Sequence, residues 1–297
     1  MSVCIAAICN AQNSSETRIF AIADMRMSTG ESSNDTAAVK GLCLPCDWLA
    51  LYAGNNVAPV VPIVNRACEI IRSHGENKVE HSMEAFRSSY QEHLAQLVES
   101  KVLSRWRLTT KEFFERGREK FGDDVFDSMC AAIEQLKLEC SLMVAGVDEE
   151  GMGHIFTVRN PGIVESRDVP GFWAIGNGDY AALSMLGFFG QNDMFNLAHT
   201  MYHLYAAKFM AESATDVGRK TWSWILSPYG FDMPDLNLED ELRKYWGSHF
   251  KRHMPPKAHG PILAQVTKAE KRFTRDRNKI VETLKHEKKS RKKSTAA

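Results

Sequence analysis

Apolar residues in the first quarter of the chain come in short dense runs broken by polar turns. Residues 2–9 and 19–24 are two such runs, separated by the polar segment 10–18, and predict a β-hairpin. A polar stretch continues through Thr36. Residues 37–44, a turn at Pro45 and the run 48–53 ending at Gly54 then predict a second hairpin. After that the period changes. Pro59 and Pro62 suit a first helical turn, and Val61, Val64, Ala67, Cys68 and Ile71 recur at helical spacing to about Ser73. Residues 81–139 read as mostly helical. Met83, Phe86, Tyr90, Leu94, Leu97 and Val98 form one stripe, and Val125, Phe126, Met129, Ile133 and Leu136 another. Between them Thr109 and Glu112 have the spacing of a capping box. Aromatic and methionine residues at this spacing read as core.

The second half repeats the alternation. Residues 141–147 predict a strand, 148–153 a tight acidic turn, 155–158 its partner, and 173–175 a short strand ending in Gly176-Asn177-Gly178. A helix follows from Asp179. Asn192 or Asp193 is placed to cap a long helix carrying Met194, Leu197, Ala198, Met201, Tyr205 and Phe209. Residues 221–226 close as a strand. Beyond Pro228 the chain turns polar, with a helix expected over 239–251. From Leu263 onward a charged helix with few apolar contacts is expected to fray into 288–293. No internal repeat is present. The order of strands, helices, strands, helices and strand predicts an α+β fold, in which two antiparallel sheets pack together with helices on both outer faces.

Composition narrows the class. The apolar fraction of 44% and charged fraction of 25% fit a soluble globular protein of one large domain or two. No run approaches the ~18–20 apolar residues of a membrane span, and no basic-then-apolar leader precedes Ser2, so no membrane association is expected. An odd count of seven scattered cysteines points to a reducing cytoplasm, where the sequons at Asn13 and Asn34 stay unmodified. The zero net charge is a cancellation: residues 251–297 hold fifteen Lys/Arg against four Asp/Glu, and the first 250 hold 22 against 33. With Phe273 as its one aromatic, the basic tail reads as solvated rather than as a nucleic-acid site.

Few motifs offer chemistry. His199/His203 and His249/His253 have i,i+4 spacing but lack the glutamate of a metalloprotease helix, so no metal is expected. Cys43-Leu44-Pro45-Cys46 falls in a strand turn rather than at a helix start and reads as structural. The N-terminus offers more. Removal of Met1 would leave Ser2 with a hydroxyl and a free α-amine, a nucleophile and a general base on one residue. The amine titrates near pH ~7.7–8, which suits proton abstraction at neutral pH. Cys4, two residues on along the same strand face, is a secondary nucleophile only under different processing. Asp24 and Lys40, taken alone, read as a structural ion pair, and Gly54 as a turn glycine.

Together these residues resemble the proteasome β-subunit family of N-terminal nucleophile hydrolases. Ser2 with Ile5-Ala6 is similar to that family's nucleophile and first strand. Residues 19–26, ending Asp24-Met25-Arg26, resemble its strand ending in Asp followed by Ser/Met-Arg. Lys40 lies sixteen residues after Asp24 and Gly54 fourteen after Lys40, both family spacings. Val144-Ala145-Gly146-Val147-Asp148 looks like its strand-and-turn. Gly176-Asn177-Gly178-Asp179 stands where the family has Gly-Ser-Gly-Ser, and residues 212–215 resemble its Asp-x-x-Ser. The resemblance covers about residues 2–75 and 139–228. It implies a four-layer αββα sandwich over residues 2–230 with a helical insertion within 76–138, followed by an extension over 231–297 with a basic, partly disordered tail. It implies an amide hydrolase without cofactor, acting on a peptide or small amide. Ser2 would attack, Lys40 would keep the amine neutral, Asp24 would fix Lys40, and Gly54 N–H would bind the oxyanion. Asp179, Glu212 and Thr215 would orient the terminus. Serine replaces the family's threonine, and Asp179 brings a negative charge where the family has serine. The alternatives are an inactive scaffold or binding subunit of the same fold, and an acylase of small amides. Family members assemble as rings, so a homo-oligomer is the expectation.

Overall fold

A strand that is apolar on both faces needs a layer on each side of it. The runs 3–10 and 17–24 are such strands, buried along nearly their whole length, and the molecule is layered around them. The computed structural model describes residues 2–29, 32–36, 38–75, 77–235, 237–248 and 256–294. In order these form β1 (Val3–Asn10), β2 (Thr17–Asp24), β3 (Met27–Thr29), β4 (Ser32–Asn34), β5 (Gly41–Cys43), β6 (Leu49–Gly54), α1 (Val60–His74) and α2 (Val79–Val98). There follow α3 (Thr110–Phe121), α4 (Asp123–Gln135), β7 (Cys140–Val147), β8 (Gly153–Arg159), β9 (Ile163–Ser166) and β10 (Phe172–Gly176). The chain ends through α5 (Asp179–Phe189), α6 (Leu197–Ala211), β11 (Thr221–Ser227), β12 (Gly230–Asp232), α7 (Asn237–Ser248) and α8 (Pro256–Ser294).

Two antiparallel sheets carry the fold, ordered β10-β1-β2-β11-β12 and β5-β6-β7-β8-β9. Side chains of a strand alternate between faces, and here both sets are apolar. Ala6, Ile8, Ile19 and Ala21 of the first sheet meet Leu49, Leu51, Met143 and Ile155 of the second. The alternate set, Val3, Ile5, Ala7, Phe20 and Ile22, packs outward against α5, α6 and α8. The far face of the second sheet, with Ala50, Leu142, Val144 and Phe156, is covered by Ile63 and Ala67 of α1 and Phe86 and Tyr90 of α2. The layers therefore run helices, sheet, sheet, helices, a mixed fold with two antiparallel sheets that is compatible with an α+β sandwich. Among the described residues no helix is long and apolar enough to cross a membrane.

Several expectations are corrected. The strand over 37–44 shrinks to Gly41–Cys43; the Lys40 carbonyl still accepts from Tyr52 N of β6 at 3.3 Å, while its side chain reaches Asp24. Ala37 lies outside the described residues. The polar stretch before it holds the β3–β4 hairpin. Asn196, not Asn192 or Asp193, caps α6: its side chain accepts from the His199 N–H, while the Asn192 side chain closes a turn onto the Met194 N–H. Met194 is accordingly outside the helix and exposed. Val61 faces solvent, and Val60 and Ile63 take the buried face of α1. The α7 helix starts earlier than expected, at Asn237, and its expected end at Lys251 lies outside the described residues.

The largest correction concerns the tail. Far from lacking apolar contacts, α8 buries Ala258, Ile262, Val266, Ala269 and Phe273 in the same core as α6 and β1. Their spacings of four, four, three and four are one helical stripe; the charges between them hide it. The Thr109–Glu112 capping box forms in full. Of the described residues in the expected insertion over 76–138, Ala85, Phe86 and Tyr90 of α2 join the core over the second sheet, while Val98 at the end of α2 and the residues after it build a satellite around Phe113, Phe126 and Met129.

Candidate active site

Asp24 ends β2 and is fully buried, as is nearly all of Lys40. Lys40 Nζ donates to both carboxylate oxygens, at 3.0 Å to Oδ1 and 2.9 Å to Oδ2. Three backbone N–H groups share that carboxylate. Val3 N donates to Oδ1 at 2.7 Å, and Arg26 N and Gly218 N each donate to Oδ2 at 3.1 Å. A buried ion pair survives desolvation only when its remaining valences are satisfied, and five donated bonds achieve this. The pair also bridges the two layers, since Asp24 lies in the first sheet and Lys40 runs into β5 of the second.

Ser2 precedes β1 and is 3% exposed. Its neighbour Val3 is the residue held by Asp24, so the start of β1 is fixed one peptide from the candidate nucleophile. The Ser2 carbonyl accepts from Gly178 N at 3.4 Å. Gly176, at φ +99°, lies so close that a Cβ there would stand 2.2 Å from the Ser2 oxygen and 3.1 Å from Ala53 Cβ. Ser2, the end of β10 and the end of β6 thus converge, bringing Gly54 to the same region. Gly54 (φ +155°) also has no room for a side chain, because a Cβ would meet the Glu139 carbonyl oxygen at 2.1 Å. Backbone approach this close admits only glycine.

The other three expected residues are held otherwise. Asp179 opens α5, and its Oδ1 accepts from the Tyr180 N–H at 2.6 Å, a bond within its own helix start. Glu212, just past α6, pairs with Lys208 and takes a two-pronged contact from Arg243, at 2.6 and 2.7 Å. Thr215 lies exposed in the turn that follows. Among the described residues no hydrogen bond joins any of the three to Ser2. Ser2, Asp24, Lys40 and Gly54 are brought together; Asp179 follows in sequence on the Gly178 contact, Glu212 belongs to a neighbouring cluster, and Thr215 lies in an exposed turn.

Cys4 is fully buried, and its Sγ donates to the Tyr52 carbonyl at 3.2 Å. Burial pushes its thiol up to about 12 against the pull of nearby Lys40, so it is no nucleophile at neutral pH. One nitrogen of each ring is engaged: His203 Nδ1 pairs with Gln191 Oε1 at 2.6 Å, and His199 Nδ1 with Asn196 Oδ1 at 2.8 Å. No cluster of three metal-ligating side chains exists among the described residues; His249 and His253 lie outside them. Cys43 and Cys46 are free and exposed.

Sequence reasoning missed the backbone donors Val3, Arg26 and Gly218, and the cluster of Lys208, Glu239 and Arg243. A lysine in the apolar run Ala206-Ala207-Lys208-Phe209, with Glu212 one turn on, was a readable signal for the latter. No protein-family model and no curated protein matches the chain.

Proposed function

We propose that this chain is an N-terminal nucleophile amide hydrolase of the proteasome β-subunit kind, with Ser2 as nucleophile once Met1 is removed. The observation that carries the reading is the buried Asp24–Lys40 pair, tied through Val3 N–H to the residue next to Ser2. The αββα layering and the close packing of Gly176 on Ser2 support it.

In this reading the freed α-amine takes the proton of Ser2 Oγ, and the oxygen attacks the amide carbonyl carbon. Lys40 supplies the cation that keeps the amine neutral and favours the developing anion. The Gly54 N–H donates to the oxyanion, a contact worth on the order of 10²–10³ in rate. The proton then passes to the leaving amine, the C–N bond breaks, and water hydrolyses the acyl-Ser2 ester. A cytoplasmic setting suits the free thiols.

Mass spectrometry tests the reading. The expected chain lacks Met1, carries no acetyl group on Ser2, and gains the mass of an epoxyketone at Ser2. A mature chain retaining Met1, or a Ser2→Ala protein that hydrolyses amides at the wild-type rate, would overturn it. The burial of Ser2 favours one other reading, an inactive scaffold of the same fold, and retention of Met1 is the outcome that scaffold predicts.

A further inference from the structure

The segment over residues 218–221 has two sets of contacts, one toward Asp24 and one away from it. Toward Asp24, Gly218 N donates to Oδ2 at 3.1 Å, and Thr221 is the register partner of Asp24 itself. The Lys220 carbonyl accepts from Met25 N at 2.9 Å. Away from Asp24, the segment is gripped by α7 and the end of α6. Thr221 N donates to Glu239 Oε2 at 2.9 Å. The Arg219 carbonyl accepts from both Arg243 Nη2, at 2.8 Å, and Lys208 Nζ. Lys208 is fully buried, and its charge is met by Glu239 Oε1 at 3.2 Å and by Glu212. Arg243 joins the same two carboxylates.

We infer that Glu239 and Arg243 of α7, acting with Lys208, are positioning residues that hold residues 218–221 against Asp24 and so fix the start of β1. They lie beyond residue 230, outside the stretch that resembles the hydrolase family, so the C-terminal extension becomes part of the site's frame. The clamp itself rests on hydrogen bonds and burial; its effect on Ser2 reactivity rests on the proposed function. Two carboxylates and two cations, all but Arg243 and Glu212 almost wholly buried, hold one geometry because each lost partner leaves an unpaired charge in the interior. Glu212 therefore serves the site through Lys208 and Arg243, which hold the segment, not by touching the terminus.

The test uses the full-length chain with Glu239→Gln, which removes one charge at constant shape, and Arg243→Lys, which keeps the charge and loses the fork. The second variant stands in should the first not fold. Phe113→Ala, in the satellite core, is the control for general loosening. Two readouts are taken well below the melting temperature: amide hydrogen exchange at Val3, Gly218 and Thr221, and the rate at which an epoxyketone modifies Ser2. Exchange at Gly218 and Thr221 should rise at least tenfold in the α7 variants, and Ser2 modification should slow at least tenfold, with neither change in Phe113→Ala. Unchanged exchange would overturn the clamp whatever Ser2 does. Faster exchange with undiminished Ser2 modification would overturn the positioning role. If Ser2 of the wild type takes no label, the hydrolase reading fails, and exchange alone decides the clamp.

Discussion

Asp24 is the residue on which most of the site's geometry depends, and its neighbours predict how it fails. Asp24→Asn leaves Lys40 buried opposite a neutral amide, and one of the amide's two positions no longer accepts. Removing one partner of a buried pair costs about 3–5 kcal/mol, so denaturant unfolding should show a loss of that size. Lys40→Met removes the cation instead and leaves the carboxylate its three N–H donors, so its loss should be smaller. Ser2 modification should fall in both. Gly176→Ala tests position rather than charge. A methyl group 2.2 Å from the Ser2 carbonyl oxygen must push β1 and β10 apart. A displacement near 1 Å costs on the order of 10²-fold in rate, so the variant should stay folded and lose most Ser2 labelling. Residues of this kind were legible only through a resemblance: Asp24, Lys40 and Gly54 stand at spacings similar to those of the hydrolase family, and taken alone they read as an ion pair and a turn glycine. The donors that complete Asp24 were not legible, because a backbone N–H has no sequence letter.

At the scale of elements, period identified what local polarity obscured. The first two strands, the extent of α1 and the Thr109 cap are as expected, because each has a periodic or capping pattern that packing does not oppose; within the α1 stripe only Val61 falls off the buried face. The short edge strands β9 and β12 escaped, since three or four half-polar residues carry too little pattern to separate strand from turn. The misjudged element is α8. Its average polarity is high, yet one face is apolar through Phe273 and the rest is charged. Burial also anchors charge there: the guanidinium of Arg18 is 1% exposed, sits 5.1 Å from the Phe273 ring, and pairs with Glu270 at 2.9 Å. Two substitutions separate the two halves of the helix. Phe273→Ala opens a cavity under α6 and should cost about 3–5 kcal/mol. Ile280→Ala, at a side chain 45% exposed, should stay within about 0.5 kcal/mol. Equal losses would mean that the helix beyond Phe273 is packed as firmly as the helix before it.

At the scale of the whole molecule, the connection between the two sheets carries a polar cluster that titrates. The crossing from β9 to β10 carries the chain from the second sheet to the first, and Asp168 sits on it. His154 of β8 lies between two carboxylates, with Nδ1 2.8 Å from Asp168 Oδ2 and Nε2 3.1 Å from Asp148 Oδ2, and its ring stacks on Trp48. Burial opposes the imidazolium, but the hydrogen bonds and charges of Asp168 and Asp148 outweigh it and raise the His154 pKa. Burial likewise opposes the Asp168 carboxylate, and the His154 bond and the Ile155 N–H outweigh it and lower that pKa. The two shifts act at opposite ends of the pH scale. A raised histidine stabilises the fold fully below its unfolded value of about 6.5 and ceases to do so as pH rises through the folded value. A lowered aspartate stabilises above its unfolded value of about 3.9 and ceases to as pH falls through the folded one. The bridge is therefore strongest between about pH 4 and 6.5, where both groups are charged. The melting temperature of wild type should exceed that of His154→Gln by its largest margin near pH ~5.5 and by a shrinking margin above pH ~7. A margin that is flat from pH ~5 to ~9 would mean that His154 is held neutral. In that case the ring is held there by stacking on Trp48, not by charge.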